Sequence, residues 1–151
     1  PIGIDSYPYD VRKLDEDLKQ IKKKYHFIII DSPPSITYDT IQIVKSSDKV
    51  FVPVQPSPLD LMATVPFLNL VKQERKKTTV ILNRVMPRAK LTDAMIIRLR
   101  YAGAKIARSR ISGRIIYAET FSVGRGVVDI SVTSEASKEI IKVGNEILRN
   151  F

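Results

Sequence analysis

The apolar run Phe27–Ile30, ended at once by Asp31, Ser32 and two prolines, limits what this chain can become more than any other stretch. Four apolar residues without polar alternation, three of them β-branched, suit a strand covered on both faces at the centre of a parallel sheet. Pro33 and Pro34 stop such a ladder and stiffen the turn after it. Asp31 therefore falls where the strand emerges, and in open α/β sheets ligands bind outside the carboxyl ends of the strands. A carboxylate there is placed to meet a cation or a phosphate-bound water. The plainer alternative is that Asp31 begins a turn or caps the helix that follows.

The same pattern recurs twice. Lys49–Val54 (KVFVPV) reads as a second buried strand ending in Gln55-Pro56-Ser57-Pro58, and Thr78–Asn83 (TTVILN) as a third with Asn83 at its exit. Amphipathic segments separate them. Pro8–Lys24 carries Val11, Leu14, Leu18 and Ile21 behind a cap at Asp10, and Thr37–Lys45 carries Ile41 and Val44. A helix capped by Asp60 and running to about Lys77 carries Leu61, Val65, Leu68 and Val71, with a kink expected at Pro66. Further on, Thr92 opens a helix carrying Ala94, Ile97 and Tyr101 and closed by Gly103, and Ala104–Ile111 reads as an edge strand. Arg114–Ser122 reads as a helix, Gly124-Arg125-Gly126 as a break, and Ser134 caps a last helix to Asn150 that buries Ile140, Val143, Gly144, Ile147 and Leu148. Pro1–Asp5 could add a short strand. Strands alternating with helices imply crossover connections and a parallel α/β sheet covered on both faces.

At 151 residues and 44% apolar content the chain makes one domain, able to bury about 70% of its unfolded surface. It has no Cys, which excludes disulfides and thiolate metal sites. No run approaches the ~20 apolar residues of a membrane span, so a soluble, cytoplasmic protein is expected. The charge is uneven: Arg84 to Arg114 holds nine basic residues against Asp93 alone, giving +8 of a total of +9. Such a zone is the footprint of a polyanion partner, or else a solvated surface rich in Lys and Arg.

In order, FIIIDSPP, VFVPVQPSPLDL, TTVILNRV, RSRISGRIIYAETFSVGRGVVD and a closing amphipathic helix resemble the ParA/MinD family of deviant P-loop ATPases, above all the short ParA-type partition proteins. The resemblance implies a partial doubly wound, mostly parallel sheet flanked by helices, the carboxyl-terminal two thirds of a P-loop NTPase fold, with residues 1–151 as one domain. It implies that Asp31 is the Walker B carboxylate holding magnesium through water, and that Ser32, Pro33 and Pro34 form a switch loop. Asn83, with Arg84 beside it, would contact adenine, and Gln55, Pro56 and Ser57 would lie near the nucleotide and a dimer face. Arg88, Lys90, Arg108, Arg110 and Arg114 would bind DNA without sequence preference. ATP and Mg2+ are the implied cofactors. A homodimer or an intact ParA-like chain, non-specific DNA and a centromere-binding ParB-type protein are the implied partners, and the nucleoid the implied location.

The departure from the family pattern is as informative. Family members begin with KGGxGK[ST], whose amides cradle phosphate and whose lysines neutralise it, and none of the six glycines here stands in that arrangement. The family's switch I aspartate is also absent. An N-terminally truncated ParA-like domain is expected, from a fragment or a shortened gene, that does not hydrolyse ATP alone. The alternative is a non-catalytic remnant acting as a nucleic-acid-binding or dimerisation module. Other α/β enzymes fit less well: no G-x-S-x-G occurs, the one histidine, His26, precedes the apolar run, and Gln55 and Asn83 are not the acids a phosphoacceptor site needs. The helix to Lys24 is interrupted by Asp15, Glu16 and Asp17 and does not read as a membrane-surface helix.

Overall fold

A computed structural model describes residues 5–33, 35–87 and 90–149. The chain is α/β, as read from sequence, and its only regular ladder among the described residues joins β1 (Lys49–Val54) to β2 (Lys77–Leu82) in parallel. The register pairs Lys49 with Lys77 and Val54 with Leu82, so both strands end level with each other. The crossover between them is α3 (Pro58–Gln73), a single helix that runs through Pro66.

Pleating divides the sheet's side chains between two layers. On one face Val54, Val80 and Leu82 pack with Leu61 and Leu68 of α3 and with Met95 and Leu99 of α4 (Lys90–Tyr101). On the other, Phe51, Thr79 and Ile81 meet Val143, Glu146 and Ile147 of α7 (Glu135–Leu148) around a small cleft. Val80, Val71 and Leu99 are wholly buried. The apolar stripe expected on α4 is the wrong one: Thr92, Met95 and Leu99 face the core, while Ala94, Ile97 and Tyr101 are exposed. Both sets have helical spacing, and the sheet takes the one carrying the longer aliphatic chains.

The edge strand expected at Ala104–Ile111 is present only in part. Val80 receives Lys105 and Ala107 as backbone partners, and Leu82 next accepts from Ile111 N–H at 2.9 Å. In an uninterrupted parallel ladder that donor would be residue 109, so the segment bulges by two residues beside β2. α5 (Ile115–Ser122) and α6 (Val127–Ile130) follow, with Gly124 at φ 68 between them where an L-side chain would be strained.

The largest correction concerns Phe27–Ile30, which forms no strand. The segment alternates in burial: Ile28 and Ile30 rest on Leu14, Leu18 and Ile43, while Phe27 is 55% and Ile29 93% exposed. Leu14 and Leu18 belong to α1 (Leu14–Ile21), preceded by a short 3-10 turn at Val11–Lys13 capped by Asp10, and Ile43 to α2 (Tyr38–Ser46), capped by Thr37. One face of the run is thus covered by helices, and among the described residues the regular ladder does not extend to it. Lys76 ties the helical pair to the sheet, its Nζ donating to the carbonyls of Lys45 (2.5 Å) and Ser47 (2.9 Å) at the end of α2. Pro1–Ile4, within the expected first strand, and Asn150 lie outside the described residues.

Candidate nucleotide site and basic loop

The level ends of β1 and β2 place two of the three predicted strand exits side by side. Asn83 N–H donates to the Val54 carbonyl at 2.9 Å, so Asn83 sits directly against the start of the Gln55 turn. That turn is held by α3's first residues. Ser57, not Asp60, is the N-cap: its Oγ accepts from Asp60 N–H at 3.0 Å and contacts the Asp60 carboxylate at 3.0 Å. Asp60 reaches back with its other oxygen to accept from Gln55 N–H at 3.0 Å. The reciprocal bonds leave the Gln55 side chain exposed and Pro56 and Ser57 half-buried.

On the β2 side, Asn83 Oδ1 accepts from Arg84 N–H at 2.9 Å, and Arg84 takes φ 52. A non-glycine residue in the left-handed region costs on the order of 1 kcal/mol. The backbone turns sharply there and exposes the Arg84 side chain. Gly113 lies against the turn, since a Cβ on it would stand 3.5 Å from the Arg84 carbonyl and 3.0 Å from the Met86 sulfur.

Asp31 is the third exit, and it follows a run with no assigned strand. Its carbonyl accepts from the Tyr9 hydroxyl at 3.1 Å and its side chain is exposed, as are Ser32 and Pro33. Pro34 of the expected switch lies outside the described residues. Among the described residues no three His, Cys, Asp or Glu side chains gather to hold a metal. One carboxylate with a neighbouring hydroxyl still fits magnesium, which keeps several waters and binds through one or two carboxylates plus substrate phosphates.

The basic residues divide into two kinds. Lys90, Arg108 and Arg110 are exposed, and Arg88 lies outside the described residues. Arg114, predicted with them, is engaged: its Nη2 donates to Glu139 at 2.8 Å. Glu139 also accepts from Ser112 N–H and Oγ at 3.0 and 2.8 Å and from the Tyr117 hydroxyl at 2.9 Å. Burial alone would raise the Glu139 carboxyl, but these donors, Arg114 foremost, outweigh it and bring it down to about 2. Burial and the same contact push Tyr117 up to about 12. Two helical turns on, Glu146 accepts from the successive amides of Arg108 and Ser109, both at 2.8 Å. Its burial is likewise outweighed, and its carboxyl falls below the ordinary glutamate range. Of the side expected to be buried on α7, Val143 is buried, Ile140, Gly144 and Ile147 are half-buried, and Leu148 is exposed, because the helix turns Ala136 and Ser137 inward with Val143 instead. Both carboxylates were missed; their seven-residue spacing on one face was the available signal.

A family profile described as an AAA domain matches residues 6–84. The maintenance of carboxysome distribution protein A of Halothiobacillus neapolitanus is 28% identical over 140 residues, covering 88% of this chain and 65% of that protein. The sporulation initiation inhibitor protein Soj of Bacillus subtilis is 26% identical over 146 residues, covering 91% of this chain and 58% of that protein. Among solved structures, the cell division ATPase MinD of Pyrococcus furiosus superposes with a TM-score of 0.78 at 23% identity, over 94% of this chain and 60% of that one. The last likeness concerns the fold. The chain thus spans about 60% of the length of the proteins it matches.

Proposed function

This chain belongs to the ParA/MinD family of deviant P-loop ATPases, and from that premise we propose that it carries the magnesium- and base-facing side of a DNA-partitioning ATPase site. The phosphate-binding loop is then supplied from outside these 151 residues, which contain none. The observation that carries the reading is the pairing of Val54 with Leu82, which sets the Gln55 turn and Asn83 together at the carboxyl end of a parallel sheet. In this reading Asn83 and Arg84 hold the base, and Gln55, Pro56 and Ser57 line the nucleotide and a dimer face. Asp31, followed by the Ser32–Pro34 switch, orients magnesium through water. The ion, when bound, neutralises charge on the transferring phosphoryl group. Without a phosphate cradle most of the binding energy is missing, so the chain alone binds ATP weakly and does not hydrolyse it. A homodimer or an intact homologue, and a ParB-type partner, complete the system in the cytoplasm. No helix among the described residues is long and apolar enough to cross a membrane.

Titration with a fluorescent ATP analogue and magnesium tests this, alone and with the P-loop segment of a relative added in trans. Binding should appear only in the complemented sample, and Asp31→Asn should remove its magnesium dependence. A P-loop segment that never confers binding would sink the proposal.

The basic zone favours a second activity of the same chain, retained even if it is a non-catalytic remnant: binding DNA without sequence preference through Lys90, Arg108 and Arg110, with Arg88 as a further candidate. Nine basic residues against one acid between Arg84 and Arg114 support it.

A further inference from the structure

Arg108 and Arg110 sit on a two-residue bulge, where the ladder to β2 is interrupted. The bulge is nevertheless fixed at both ends by one helix. Glu146 takes two of the three amides between Ala107 and Ile111 that the ladder with β2 does not use, those of Arg108 and Ser109. Glu139, seven residues earlier and so on the same face of α7, takes Ser112 by both amide and hydroxyl. Both carboxylates therefore bond the loop through its backbone, which leaves the Arg108 and Arg110 side chains exposed. Arg114 differs, because its guanidinium is bound to Glu139.

We propose that Glu146 and Glu139 are positioning residues for nucleic acid: α7 clamps the bulged loop by its amides so that Arg108 and Arg110 face a phosphate backbone, while Arg114 is spent on the clamp. The proposal rests on the DNA-binding reading above. It assigns a favourable role to two acids beside a polyanion surface, which charge alone would count as repulsive. Simple electrostatics predicts that neutralising either acid tightens binding; positioning predicts that it weakens binding. A loop whose arginines sample many directions loses entropy when it docks and forfeits affinity.

The test uses the 151-residue chain and an unrelated DNA duplex, with affinity followed against salt concentration. Glu146→Gln and the charge-conserving Glu146→Asp should both weaken binding about tenfold and lower the salt slope by about one to two, one contact per arginine lost. Arg114→Ala should leave the slope nearly unchanged. In an Arg108→Ala, Arg110→Ala background, Glu146→Gln should have no further effect on affinity, whereas a merely structural role would add its cost unchanged. Circular dichroism checks that each variant folds, and Glu146→Asp carries the test if Glu146→Gln does not. Tighter binding by Glu146→Gln, or an unaltered slope in Glu146→Asp, would overturn the positioning role while leaving DNA binding intact. No binding by the unsubstituted chain at low salt would overturn the DNA reading and this inference together.

Discussion

Phe27–Ile30 and Val80–Leu82 are nearly interchangeable as sequence, and the fold treats them as opposites. In β2, Val80 is fully buried and Leu82 is 1% exposed, with β1 on one edge and the bulged segment on the other. In the first run Ile29 is 93% exposed although its neighbours Ile28 and Ile30 are packed. Apolar content is therefore not what makes a strand; ladder partners on its edges are. The functional contrast follows the structural one. Asn83, at the end of a laddered strand, is bonded by its amide to Val54 next to Gln55, whereas Asp31, after a run with no assigned strand, is bonded through its carbonyl by the Tyr9 hydroxyl.

The largest expected effect comes from trimming the two runs alike. Leu82→Ala should cost about 2–5 kcal/mol in a denaturant titration, the usual range for a fully packed aliphatic residue. Ile29→Ala should stay within about 0.5 kcal/mol, as for an exposed site. Equal losses would erase the contrast.

A smaller effect sharpens it on the clamped side. The Glu139 carboxyl lies at about 2, below its ordinary value of 4.5, because its folded-state donors favour the charged form. A depressed acid contributes stability that is complete above the unfolded value and is lost as pH falls through the folded one. The loss should therefore run from about pH 5 to pH 2. Allowing for solvent screening, the contribution near neutral pH is on the order of 2 kcal/mol. Glu139→Gln should lose about that much at pH 7 and show a shallower decline in acid. Parallel pH profiles for the two proteins would show that the carboxylate does not hold the loop.

Much of this was legible in the residues. KVFVPV and TTVILN are strands within one residue of the expected bounds, and a parallel pairing of two such strands brings their exits together without further information. Ser134 caps the last helix as its position suggests. What escaped the sequence depends on partners distant along the chain. Phe27–Ile30 advertises a taste for cover but not whether a neighbouring strand supplies it. α4 carries two stripes of helical spacing, and only the facing sheet selects Met95 and Leu99. Ser57 and Asp60 are both good caps, and the helix uses them together. Glu139 and Glu146 look like ordinary solvent-facing acids until the loop some 30 residues earlier closes on them.

Amide hydrogen exchange across Ile28–Asp31 tests most directly whether this chain holds one side of a nucleotide site that is completed from elsewhere. In the chain alone these amides should exchange quickly while Val80–Leu82 stays protected. With the P-loop segment of a relative and magnesium ATP added, protection of Ile28–Asp31 should rise toward that of β2. Equal protection of both runs in the isolated chain, or no change on addition, would contradict it.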